Sequence, residues 1–231
     1  VVAAAGNLNH EKLVAIVDRY FGELDAKRSG SKRTVGPRRL RPGREVFEKP
    51  ILQAHVCTGT VGYGVRSRIR YPLMVLNTLL GEGMSSRLFQ NIREKYGFAY
   101  NVYSFANLLS DTGNFGVYIG TDSDNIENSL EWVYKQLEKL KSEPVSRAEL
   151  QRTKAQLKGM MVLGLESMSN RMMRLGSGEI YFGEYSDLQE ILTSIDAVKA
   201  DEVLEVARKL FNVDRFSTVI IKPAPSGQIA A

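Results

Sequence analysis

Apolar residues recur along this chain in two rhythms, one of three to four positions and one of two, and their alternation lays out the elements. VVAAAG opens as a short apolar strand. Asn9 then stands as the N-cap of a helix over 10–21, with Leu13, Ile16, Val17 and Tyr20 on its apolar stripe. Strand signals resume in EVFEKPILQAHVCTGTVG, where Pro50 marks an edge or a break. Residues 69–80, IRYPLMVLNTLL, predict a helix that tolerates Pro72 in its first turn. Gly81 and Gly83 bracket a turn, and Ser85 or Ser86 caps a second helix that buries Leu88, Phe89 and Ile92. Gly97 suits the left-handed position that ends it.

Beyond Gly97, FAYNVYSFANLL and NFGVYIGTD alternate with period two across SDTG, which predicts an antiparallel hairpin. A helix from Asn125 to Lys141 carries Ile126, Leu130, Val133, Leu137 and Leu140 on one stripe. Ser146 caps a long helical stretch that breaks near 167–170 and runs to Phe182. Shorter helices follow over 187–194 and 199–211, and RFSTVIIKPA closes as a strand. The sum is an α+β fold: antiparallel strands, a helical block and one returning strand. Both the head and the tail of the chain read as a strand at the end of a unit, which suggests two related units with most of the first one missing. The first residue is Val1, so the chain is expected to begin mid-fold, as a fragment whose targeting signals lie elsewhere.

Composition narrows the function classes. No apolar run approaches the roughly 20 residues of a membrane span. A single cysteine, Cys57, excludes an internal disulfide framework and a multi-cysteine zinc site. Its place in ILQAHVC reads as a buried structural thiol. The net charge of +5 belongs to one segment. Residues 27–44 hold eight of the 31 lysines and arginines and no acid, and the remaining 23 are outnumbered by 26 acidic residues. Its glycines and prolines describe a solvated basic linker. A nucleic-acid patch is the rival reading, without an interleaved aromatic residue to stack bases.

Candidate chemistry is sparse. The only histidines, His10 and His55, fit no two-histidine zinc helix. Ser85 and Ser86 lack a G-x-S-x-G elbow. Gly81-x-Gly83 lacks both the P-loop lysine and a full dinucleotide fingerprint. Met160, Met161, Met168, Met172 and Met173 read as core filling, with an adaptable peptide-binding face as the alternative. That leaves Arg93 and Tyr100, seven positions apart across a helix end, able to aim a guanidinium and a phenol at one point. On chemistry alone a helix-end cation and a half-buried strand tyrosine are the better explanation of the pair.

The block GEGMSSRLFQNIREKYGFAYNVYS resembles, residue by residue, the stretch G-G-G-M-S-S-R-L-F-x-x-I-R-E-x-x-G-L-A-Y of the mitochondrial-processing-peptidase and pitrilysin-like zinc metallopeptidases. The resemblance runs over nearly the whole chain. It implies a processing-peptidase-like α/β roll, mostly antiparallel sheet with helices on one face. In order, 1–24 would be the last strand and helix of a preceding zinc-bearing half, 25–45 the basic interdomain linker, and 46–231 the C-terminal domain. It implies a zinc endopeptidase that cleaves peptides or unfolded segments in a clamshell chamber. The zinc would sit on an H-x-x-E-H motif of the other half, in the same or a separate chain, and none on this one. Arg93 and Tyr100 map onto the arginine and tyrosine that reach across to the scissile bond, so they are the catalytic residues the resemblance assigns. This chain alone would then be inactive. The implied partners are a peptide substrate, the zinc-bearing half and, as a further arrangement, a second copy. Nucleic acid and membrane are not among them, and the implied setting is the bacterial cytoplasm. A non-catalytic structural or assembly subunit of the same fold is the alternative. Glu82 departs from the family's middle glycine, which bears on the turn and leaves the Arg–Tyr spacing intact.

Overall fold

The computed structural model describes residues 1–24, 41–185 and 187–224. Most of the basic segment 27–44, and with it most of the linker read over 25–45, lies outside the described residues. Five strands form one sheet in the order β1-β5-β2-β4-β3: β1 Gly43–Lys49, β2 Ala54–Val61, β3 Ala99–Leu108, β4 Gly113–Thr121 and β5 Ser217–Pro223. Only β1 and β5 run parallel, Val46 opposite Ile220, and the other ladders are antiparallel, so the sheet is mostly antiparallel as read. The break at Pro50 separates β1 from β2, and β1 is exposed along its whole length at the sheet edge.

Helices cover one face. α2 (Arg70–Gly81) packs on β3 and on α7 (Ala200–Leu210), while α3 (Ile126–Ser142) packs on β4 and α7. Val56, Val102, Val117, Ile119 and Ile220 point inward from the strands to meet Leu76, Leu80, Val133, Leu137 and Val206. Phe115 and Phe211 meet at 5.1 Å between ring centroids. This apolar burial is the main stabilising term. α4 (Arg147–Gly164) starts at Ser146, whose hydroxyl accepts from the Glu149 N–H at 3.3 Å. The break read near 167–170 is the start of α5 (Met168–Phe182), capped by Ser167, and α6 (Leu188–Ala197) precedes α7. No helix among the described residues is long and apolar enough to cross a membrane.

Several expectations are corrected. Residues 1–5 form no strand, because a strand exists only through ladder partners and none of the described strands reaches them. α1 (His10–Phe21) forms and is capped by Asn9, which accepts from the Lys12 N–H at 3.0 Å, yet none of its residues is buried. Cys57 is exposed, not buried: in β2 the period of two turns Val56 and Thr58 inward and Cys57 outward. Its surroundings still desolvate the thiol enough to raise its pKa. Of the methionine cluster, Met161 packs on the core while Met160, Met168 and Met173 are exposed.

Candidate functional site

The segment between α2 and β3 is short of regular structure and rich in fixed contacts. Gly83 takes φ +81°, a left-handed turn that a side chain would strain. Glu82 sits at φ −106°, ordinary extended backbone, so this chain needs no glycine there. The serine caps read from sequence are not formed: Ser86 Oγ donates to the Gly83 carbonyl at 2.7 Å, and Ser85 Oγ donates to Gln156 Oε1 at 2.7 Å. The helix instead starts through the Gln90 N–H bond to the Ser86 carbonyl and widens into a π-helix over Phe89–Lys95. Widened turns of this kind are rare and concentrate at functional sites. Leu88 and Ile92 anchor it in the core, and Gly97 at φ +65° ends it as expected.

α4 clamps this segment from behind. Arg87 donates through Nε and Nη2 to the two carboxylate oxygens of Glu149, both at 2.8 Å, and Gln156 Nε2 donates to the Glu82 carbonyl at 2.7 Å. Glu149 and Gln156 lie seven residues apart, two turns on one face of α4. The Arg87 guanidinium holds the Glu149 carboxyl below the usual range, more than burial raises it.

Arg93 and Tyr100 project from opposite sides of the Gly97 turn. The Arg93 guanidinium lies 4.9 Å from the Phe89 ring centroid and is exposed, and no carboxylate among the described residues pairs with it. Tyr100 is the extra residue of a β-bulge: Ala99 faces Thr121 and Asn101 faces Gly120, with Tyr100 between them unpaired. A bulge re-aims its side chain out of the strand's alternation. The phenol reaches Asp122, just beyond β4, and its proton is shared between the two carboxylate oxygens at 2.9 and 3.0 Å. That hydrogen bond to a charged acceptor raises the Tyr100 pKa. Arg93 and Tyr100 therefore each rest on a separate partner, with no hydrogen bond between them.

Sequence reasoning missed Asp122, Glu149 and Gln156. The i, i+7 spacing of the last two was the only signal, and it says nothing of what they meet. His55 Nδ1 lies 2.6 Å from the Tyr118 hydroxyl, and His10 is exposed on α1. Among the described residues no three His, Cys, Asp or Glu side chains gather where a metal could sit.

Residues 1–157 match the family model described as the peptidase M16 inactive domain. An uncharacterized zinc protease of Bacillus subtilis is 34% identical over 97% of this chain and 54% of its own length. The chain thus spans about half the length of the relatives it matches. Among solved structures, a protease from Helicobacter pylori superposes with a TM-score of 0.82 at 24% identity, over 95% of this chain and 54% of that one. A chain of complex III from Candida albicans superposes at 0.78 and 21% identity, over 94% and 53% respectively. At these identities the structural likenesses establish the fold, an α+β roll, and nothing more.

Proposed function

The chain belongs to the peptidase M16 inactive-domain family, and from that premise we propose that it is the C-terminal half of a zinc-dependent endopeptidase. In this reading the zinc belongs to a preceding half, and this chain supplies Arg93 and Tyr100 to the carbonyl under attack. The observation that carries the reading is the state of those two side chains. Both are exposed on irregular backbone that the core and α4 hold in place, and among the described residues no acid pairs with the guanidinium. As a peptide carbonyl becomes tetrahedral, negative charge grows on its oxygen. A guanidinium and a phenolic O–H directed there stabilise that charge most when the donors are already in position. The phenol has one proton, so it must leave Asp122 to reach the oxyanion. The substrates are peptides or unfolded segments, and the bacterial relatives make the cytoplasm the setting we propose.

The test uses the longer protein that contains both halves. Arg93→Ala and Tyr100→Phe should each lower kcat by about 100-fold, the loss expected for one oxyanion donor, with unchanged circular dichroism. Unchanged turnover in both variants would refute the assignment. The present chain alone should neither retain stoichiometric zinc nor hydrolyse peptides.

A second reading, a structural or assembly subunit, draws on the fold shared with the complex III chain. It expects no H-x-x-E-H motif upstream and no turnover from the two-half protein.

A further inference from the structure

The sheet face turned away from the helices is uneven, and the unevenness has a chemical meaning. One cross-strand row is filled with side chains: Cys57 on β2 faces Tyr118 on β4, which faces Tyr103 on β3. The two tyrosine rings stack at 5.0 Å, and His55 holds the Tyr118 hydroxyl. The next row is nearly empty. Gly59 on β2 faces Gly116 on β4 and Ser217 on β5, so three strands in succession lay down almost no side chain. Only Phe105 occupies that row, and its ring lies over Gly116, where a Cβ would come within 2.5 Å of Cζ. The result is a hollow of about 410 Å³, open to solvent and walled by Cys57, Val61, Phe105 and Val219. Among the described residues no charged side chain lines it.

From this the geometry points to a subsite for one bulky apolar side chain, phenylalanine or leucine, of an extended peptide substrate. The inference rests on the peptidase reading for the source of the peptide. Three features select the occupant. The lining is mostly apolar over a glycine floor, and its polar side chains, Thr60, Asn114 and Ser217, are neutral, so a charged side chain seated there would give up part of its water without meeting an opposite charge. At about 410 Å³ the hollow has room for one large side chain, and it lies in a face built of extended strands. It also lies on the strand that carries Tyr100, with Phe105 five residues further on. At about 3.3 Å per residue that is about 16 Å. An extended peptide has the same rise, so the side chain seated here belongs about five residues from the carbonyl at Tyr100.

Cys57, in the wall, provides a probe that does not depend on turnover. In the two-half protein, maleimide modification of Cys57 is followed by peptide mapping. The additions are decapeptides that differ at one position, five residues from the cleaved bond. A Phe-bearing peptide should slow modification, and its Asp counterpart should not. Val219→Lys places a cation in the wall from an already half-exposed position. It should raise KM for the Phe peptide by about 10-fold or more with kcat within about twofold. Cys57→Phe, which narrows the hollow from its wall, should do the same. Equal modification with both peptides, together with an unchanged KM ratio in both variants, overturns the subsite even where Arg93→Ala still abolishes turnover. Phe-selective protection without any turnover keeps the subsite and removes the peptidase reading instead.

Discussion

Replacing Glu149 by Gln removes one charge from the pair that ties the candidate segment to α4. Arg87 and Glu149 meet through two parallel 2.8 Å bonds, and their side chains are only 14% and 23% exposed. A solvated surface pair contributes about 0.2–1 kcal/mol, whereas hydrogen bonds to charged groups shielded from water contribute about 1.5–3 kcal/mol. The exposure places this pair near the lower part of the second range, at about 2 kcal/mol. Arg87 Nη1 is buried with no partner among the described residues, so the variant strands a guanidinium that already lacks one acceptor there. Urea unfolding should show that loss as a lower midpoint at constant slope. Melting should fall by roughly 4–8 °C for a chain of this size. The pH dependence has a definite sign. The folded Glu149 pKa lies below its unfolded value, so its contribution is complete above about pH 4.3 and is lost as pH falls through the folded pKa. The gap between the parent chain and Glu149→Gln should therefore close in acid. A loss under about 0.5 kcal/mol, or a gap that stays constant down to about pH 3, would refute the reasoning.

Two further outcomes follow from the site's geometry. The Tyr100 phenol should ionise above the ordinary tyrosine value, and Asp122→Asn should bring it down; the difference in phenolate absorbance against Tyr100→Phe measures both. Gly97→Ala should destabilise by about 1–2 kcal/mol through its positive φ alone, because no atom lies within 4 Å of the added methyl. Gly97→Asn, which tolerates that conformation better, should lose less in the same denaturant titration.

Much of the fold was legible because the signals were local. The helical stripe of Ile126, Leu130, Val133, Leu137 and Leu140 is buried in full, and the alternation in β3 and β4 gives the hairpin where it was read. The caps at Asn9 and Ser146 form because each accepts an N–H three residues along. Ser85 and Ser86 had the same local pattern without forming caps: Ser85 donates to Gln156, 71 positions away, and Ser86 donates back to the Gly83 carbonyl within its own turn. Cys57 failed for a related reason. An apolar run does not say which of its residues faces the helices, and the ladder phase decided that.

The sequence by itself determined the order of elements from α1 onward, the α+β class, the glycine that ends the Arg93 helix and the block that carries the family resemblance. These depend on residues a few positions apart, whose backbone preferences and side-chain periods act without knowledge of the rest of the chain. Tertiary structure alone decided the state of the two candidate side chains. Pairing with β4 made Tyr100 a bulge and turned its phenolic O–H, as a donor, toward Asp122. Packing on α4 fixed the turn that leads to Arg93, and the sheet register opened the glycine row beside Cys57. Each is a contact between distant positions, selected by the energy of burying and pairing groups that the linear sequence does not place side by side.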